Sequence, residues 1–84
     1  MVGRQLRQSA LSIPANISEG CGLGSRKETI RFFQMGSRSA LETEDHLLIA
    51  ADLQYLDSKT REETTGEVKE IQRMLSALID RLPD

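Results

Sequence analysis

An all-α fold, an antiparallel helical bundle forming one domain over residues 1–84, is what this sequence predicts. Two observations carry the prediction. Apolar residues recur at spacings of three and four through most of the chain, and no stretch alternates polar and apolar as a half-buried strand would. The periodic stretches are joined by two tight connections that carry helix stop and start residues.

The first helix is expected over about 4–19, from Arg4 to Glu19. Leu6, Ala10, Ile13 and Ile17 form one stripe, and no charged residue occurs between Gln8 and Ser18. Leu11 points nearly opposite that stripe, so the helix reads as enclosed on more than one side. Pro14 falls inside the pattern, where it removes one backbone bond and kinks the helix at a cost of about 3 kcal/mol. Ser9, Ser12 and Ser18 stand near enough to satisfy the freed groups. Gly20 then suits the left-handed residue that ends a helix, since glycine adopts that conformation at little cost.

The second helix is expected over about 26–53. Ser25 followed by Glu28 is a capping-box pair, in which the serine hydroxyl accepts from a first-turn N–H. Its apolar stripe runs through Ile30, Phe33, Ser37, Ala40, Leu41, Leu47, Leu48 and Ala51, and at about 100° per residue Glu44 falls in the middle of it. A carboxylate there must be paired or protonated if buried. Asn16 and Glu44 are therefore read together as a buried polar network that fixes helix register.

The third helix is expected over about 58–82, capped by Asp57 or Ser58 after the short Gln54-Tyr55-Leu56 connection. Val68, Ile71, Leu75, Leu78 and Leu82 form a heptad seam with Met74 and Ile79 beside it. Gly66 weakens its first turns by about 1 kcal/mol relative to alanine. Pro83 stops it.

At 84 residues the chain can bury only a limited core, and it has no staple to compensate. The single cysteine, Cys21, excludes an internal disulfide, and one cysteine with one histidine excludes a zinc-type spacing. Neither a signal-peptide segment nor a run of about 18 apolar residues is present, so a cytoplasmic protein without a membrane span is expected.

Candidate chemistry is sparse. Gly20-x-Gly22-x-Gly24 precedes Arg26 and Lys27 and could cradle a phosphate, but it lacks the lysine after the last glycine of a Walker loop and the spacing of a dinucleotide fingerprint. Both motifs also need a strand before the loop, and here a helix precedes. The turn is read as a helix stop and start, with the N–H groups before Arg26 left as a seat for a backbone phosphate of a larger partner. His46 has Thr43 where a di-metal bundle places glutamate, and Glu42 and Asp45 project about 160° from the stripe. No metal site, no cofactor and no catalytic residue is expected. Nothing orients the lone histidine, so the chain reads as a non-enzyme.

The net charge of −2 is unevenly spread. Residues 1–40 carry six basic and two acidic side chains, a net of +4, and residues 41–84 carry five and eleven, a net of −6. Lys27, Arg31 and Arg38 lie within about 40° of one another on the second helix, roughly 120° from its expected stripe. With Arg26 they make an exposed basic strip, the candidate nucleic-acid-binding residues. Positive charge in the N-terminal half of a helix opposes the macrodipole by about 0.3–1 kcal/mol per charge. A nucleic-acid phosphate, an acidic protein or a neighbouring subunit would compensate it. Aromatic residues off the stripe are limited to Phe32 and Tyr55, so binding would be to backbone or shape with little base readout.

Several segments together resemble the bacterial four-helix bundle proteins related to those encoded in 23S rRNA intervening sequences. They are Gln5-Leu6-Arg7-Gln8-Ser9-Ala10, then Ser12-Ile13-Pro14-Ala15-Asn16-Ile17-Ser18-Glu19-Gly20, then Ser25-Arg26-Lys27-Glu28 with Phe32-Phe33. Ser39-Ala40-Leu41-Glu42-Thr43-Glu44, Leu47-Leu48-Ile49-Ala50 and Tyr55-Leu56 continue the match in order. The resemblance implies a four-helix protomer, a ring-shaped homopentamer and no established enzymatic activity. A related branch, the accessory variability proteins of diversity-generating retroelements, is markedly basic and is associated with nucleic acid and a reverse transcriptase. Members usually carry a further helix before the Gln-Leu-Arg segment, at which this chain begins. Relative to them it is a bundle lacking its first helix. Leu11 or the Leu6–Ile17 stripe should then form an exposed apolar patch, covered by an oligomer partner unless the chain is a fragment.

The sequence thus predicts a homo-oligomeric helical assembly protein whose basic strip contacts structured RNA, DNA or a nucleoprotein partner. The alternative is a purely structural interaction module in which the strip pairs with acidic residues of neighbouring subunits.

Overall fold

The computed structural model describes residues 2–22 and 24–82, and they form three helices and no strand: α1 (Val2–Cys21), α2 (Arg26–Asp52) and α3 (Ser58–Arg81). Helices α2 and α3 fall within a residue of their expected bounds, and α1 extends two residues further at each end. Pro83, read as the stop for α3, lies outside the described residues.

The starts of α2 and α3 have the caps their sequence provides. The Ser25 hydroxyl accepts from the Glu28 N–H at 3.4 Å, and a carboxylate oxygen of Asp57 accepts from the Thr60 N–H at 2.7 Å. The end of α2 is a Schellman turn without glycine. Gln54 takes φ 62°, its N–H donates to the Ala51 carbonyl at 2.9 Å, and the Tyr55 N–H donates to the Ala50 carbonyl at 2.8 Å.

The end of α1 corrects an expectation. Gly20 is not a left-handed stop, since no described glycine has positive φ and the helix runs on to Cys21. Its role is steric: a β-carbon there would lie 2.9 Å from Cε1 of Phe33 and 3.2 Å from Cβ of Phe32. Nor do the serines serve Pro14 as expected. Ser9 Oγ donates to the Leu6 carbonyl and Ser12 Oγ bonds Ser39, so neither replaces the bond to Ala10 that the proline removes.

Helix α2 is central. Both α1 and α3 pack on it, and among the described residues the backbones of α1 and α3 do not approach each other closely; the core cluster draws Ile13 from α1, Ala40 and Leu47 from α2, and Val68 from α3. At Gly36 both α1 and α3 come close to α2. A β-carbon on it would stand 3.6 Å from Leu75 Cδ1 and 3.7 Å from the Ile13 carbonyl oxygen.

The buried face of α2 is rotated from the expected stripe. Thr29, Phe33, Gly36, Ser39, Ala40, Thr43, Leu47 and Ala50 are buried, whereas Leu41 is 55% and Leu48 45% exposed. The cause is close approach to α1 across small and hydroxyl-bearing residues, whose polar atoms are satisfied within the interface. Thr43 Oγ1 contacts Ser9 Oγ at 3.0 Å, Ser12 and Ser39 hydroxyls meet at 2.8 Å, and Thr29 Oγ1 donates to the Gly20 carbonyl at 3.0 Å. Each of these pairs sets a later α1 residue against an earlier α2 residue, so the two helices run antiparallel. Arg26 against Leu82 and Gly36 near Leu75 give the same sense for α2 and α3.

The expected Asn16–Glu44 network does not form. Asn16 Nδ2 donates to the Ser12 carbonyl at 2.8 Å and to the Ser12 hydroxyl at 2.9 Å. Glu44, displaced from the α1 side by the rotation of α2, keeps a buried Oε1 with no hydrogen-bond partner among the described residues.

Candidate nucleic-acid interface

The rotation of α2 moves the basic strip further from the core than the sequence suggested. Measured from the residues actually buried, Lys27, Arg31 and Arg38 point about 160° away, on the outer side of the central helix. All three are exposed. Among the described residues none of them has an ion-pair partner.

Arg26 behaves differently. Its Nε donates to the Leu82 carbonyl at 3.4 Å, which ties the start of α2 to the end of α3. Arg26, Lys27 and Arg31 line one shallow surface depression with Glu28, Ile30 and Gln34. Arg38 stands two turns, about 10 Å, further along the same face. The structure therefore brings three of the four candidate residues together and continues the strip with the fourth.

Other candidates for chemistry stay apart. Among the described residues no three His, Cys, Asp or Glu side chains are grouped so as to hold a metal ion. Cys21 is free and exposed at the end of α1. His46 is half-buried with Nδ1 unpartnered among the described residues, and Thr43, three residues earlier, faces α1 through its bond to Ser9.

The structure adds a feature on the opposite side of α2. Between α1 and α3 lies an open apolar groove of about 640 Å³, floored by Thr43 and Leu47 and walled by Leu6, Ile13 and Ile17 on one side and Ile71, Met74 and Leu78 on the other. The expected patch along Leu6–Ile17 is thus one wall of this groove, while Leu11, 68% exposed, faces away from it. The opposite wall goes beyond the sequence expectation, which assigns the α3 seam to the core. Its signal was width: Met74 and Ile79 beside a five-residue seam make more apolar surface than one neighbouring helix covers.

Surfaces rather than a pocket of convergent polar groups distinguish this molecule, and they define it as a small helical-bundle protein. A family model, described as 23S rRNA-intervening sequence protein, matches residues 1–77, and the chain belongs to that family. It is also similar to a crystal structure from Bacteroides thetaiotaomicron VPI-5482, described as a protein with unknown function from the S23 ribosomal protein family. The two share 28% identity and a TM-score of 0.91, over 94% of this chain and 73% of that one. No curated protein matches the chain. No helix of the described residues is long and apolar enough to cross a membrane.

Proposed function

We propose that this chain is a non-enzymatic, cytoplasmic assembly protein that acts as a homo-oligomer, its three helices being part of a four-helix arrangement, and that it contacts structured RNA or DNA through phosphates. The observation that carries the reading is the exposed strip of Lys27, Arg31 and Arg38, which has no ion-pair partner among the described residues and faces away from the core. Lys27 lies in the first turn of α2, where positive charge opposes the dipole, and Glu28 is the only acidic residue there. A phosphate backbone supplies the missing counter-charge. Base readout has little support, since Tyr55 is the one aromatic side chain that is largely exposed, at 72%.

The test is binding of a structured RNA and of duplex DNA across a salt series. Phosphate contacts should make affinity fall steeply with salt, and Lys27→Glu, Arg31→Glu and Arg38→Glu together should flatten the log–log slope by about 2–3. The second reading, a structural module without nucleic acid, draws on the net charge of −6 over residues 41–84. It expects no salt-dependent binding, and expects the same charge reversal to dissolve the oligomer instead.

A further inference from the structure

We infer that the outer ridge of α2 is a phosphate track closed at one end: Asp45 and Asp52 exclude a nucleic-acid backbone from the second half of the helix, so that a duplex crosses α2 between Lys27 and Arg38 and does not lie along it. This rests on the phosphate-contact reading above and adds to it the residues that fix where the ligand can lie.

The ridge follows from how the three helices pack. Helix α1 meets α2 through Ser39 and Thr43, and α3 meets it near Gly36. Both contacts fall on the side that carries Ala40 and Leu47, which leaves the opposite side of α2 open to solvent over its length of about 40 Å. Arg31, Arg38, Asp45 and Asp52 stand on that side at successive intervals of seven residues, and seven residues bring an α-helix back to within about 20° of the same direction. All four are exposed, and among the described residues none has an ion-pair partner. The ridge therefore reads plus, plus, minus, minus at steps of about 10 Å.

Its two halves differ in more than charge. Lys27 and Gln34 accompany the arginines and can donate to phosphate oxygens. The acidic half instead carries Leu41, 55% exposed, with Leu48 and Ile49, each 45% exposed, and Glu42 beside Asp45. Apolar side chains offer a phosphate no donor, and the carboxylates repel it. Helix stability does not account for this order of charges. Lys27 in the first turn, offset by Glu28 alone, and Asp52 as the last residue each carry the sign that the helix dipole disfavours. A duplex laid lengthwise would set phosphates, about 3.4 Å apart along each strand, over Asp45 and Asp52 as well as over the arginines. Crossing α2 between Lys27 and Arg38, a span of about 16 Å, it meets three cations and clears both aspartates. Here a repulsive element sets register and orientation, a common source of specificity.

The test is fluorescence anisotropy across a salt series with DNA and RNA duplexes of about 20 base pairs, the DNA roughly 70 Å long and so longer than α2. Light scattering and circular dichroism accompany every variant. Asp45→Lys with Asp52→Lys, both at exposed positions, extends the track; it should raise affinity on the order of tenfold at low salt and steepen the log–log slope by about 2. Asp45→Asn with Asp52→Asn removes the repulsion without adding contacts, and should raise affinity severalfold with the slope nearly unchanged. Lysine variants that bind no better than the native chain overturn the inference, and so does a fall in affinity, which would make the carboxylates part of the contact. A change of oligomer mass in either variant also overturns it, assigning Asp45 and Asp52 to contacts between subunits. If the native chain binds neither duplex, the phosphate-contact reading itself fails and takes this inference with it. If it binds, and Lys27→Glu with Arg31→Glu and Arg38→Glu abolishes the binding while the lysine variant changes nothing, this inference fails alone.

Discussion

Gly20 of α1 lies against the Phe33 ring of α2 so closely that a β-carbon on it would come within 2.9 Å of Cε1 and 3.0 Å of Cδ1. Phe33 is itself buried, at 4% exposed. Two effects compete in Gly20→Ala: alanine favours the helix by about 1 kcal/mol, and the overpacked contact costs about 1–3 kcal/mol. Contact should prevail. Gly20→Ala is expected to lower the free energy of unfolding by about 1–2 kcal/mol in urea, with Gly20→Val considerably worse.

Gly66 of α3 is the opposite case. It is exposed within a helix, and nothing lies within 4 Å of where its β-carbon would be. Gly66→Ala should therefore raise the free energy of unfolding by about 0.5–1 kcal/mol, through helix propensity alone. Measured beside Gly20→Ala, it separates backbone entropy from packing, and equal signs for the two substitutions would contradict the contact geometry.

Between α1 and α2 the hydroxyls of Ser9 and Thr43 share three contacts: Ser9 to the Leu6 carbonyl at 3.1 Å, Thr43 to Ser9 at 3.0 Å, and Thr43 to the Ser39 carbonyl at 2.8 Å. Two hydroxyls own two protons, so one contact is always without its own. The chain can be polarised from Thr43 through Ser9 to Leu6, or from Ser9 through Thr43 to Ser39. Removing either hydroxyl forces one direction and strips the other residue of a partner. Thr43→Val and Ser9→Ala should each cost about 0.5–1.5 kcal/mol, and the double variant should cost less than their sum by about 0.5–1 kcal/mol. Strict additivity in a double-mutant cycle would mean that the two hydroxyls act independently.

These hydroxyls also explain what the sequence hid. Helix number and helix bounds were legible because they rest on local signals: the three-and-four spacing, Ser25 with Glu28, and Asp57 before Thr60. The basic strip was legible too, since residues at 27, 31 and 38 share a face in any α-helix. The buried face of α2 was not, because a hydrophobicity pattern gives Leu41 and Leu48 more weight than Ser39, Thr43 and Gly36. Small residues allow α1 to come close, and the hydroxyls satisfy one another only once it has. That complementarity belongs to two helices together and is not written in either. Glu44 falls in the expected core stripe for the same reason, and at Gly20 the packing needs the missing side chain rather than backbone freedom.

The turn after α2 carries a strain that one substitution should relieve. Gln54 holds φ 62°, while its N–H and that of Tyr55 close the Schellman pair of bonds. For a residue with a β-carbon this conformation costs about 1–2 kcal/mol, and glycine avoids it at the expense of a freer unfolded chain. Gln54→Gly is expected to stabilise the protein by about 0.5–1 kcal/mol net, read as a rise in the midpoint of thermal or urea unfolding. Gln54→Val should do the reverse, since a β-branched side chain suits positive φ least.

At the other side of that turn, Asp57 sets an acid limit on α3. The Thr60 backbone N–H, at 2.7 Å, together with the Thr60 side chain and the Lys59 N–H, holds the Asp57 carboxyl below its ordinary value, against a smaller opposing effect of burial. With the folded-state pKa below the unfolded one, this stabilisation is fully present above the unfolded value of about 3.9 and is lost as pH falls through the folded one. Asp57→Asn keeps an oxygen that caps the helix but cannot be protonated in this range. The melting temperatures of the native chain and Asp57→Asn should therefore differ most near neutral pH and converge as the pH drops below about 4. Asp57→Ala should be less stable than both at neutral pH, with faster amide exchange in the first turn of α3. A difference between the native chain and Asp57→Asn that stays constant from pH 7 to 3 would show that the negative charge contributes nothing at this cap.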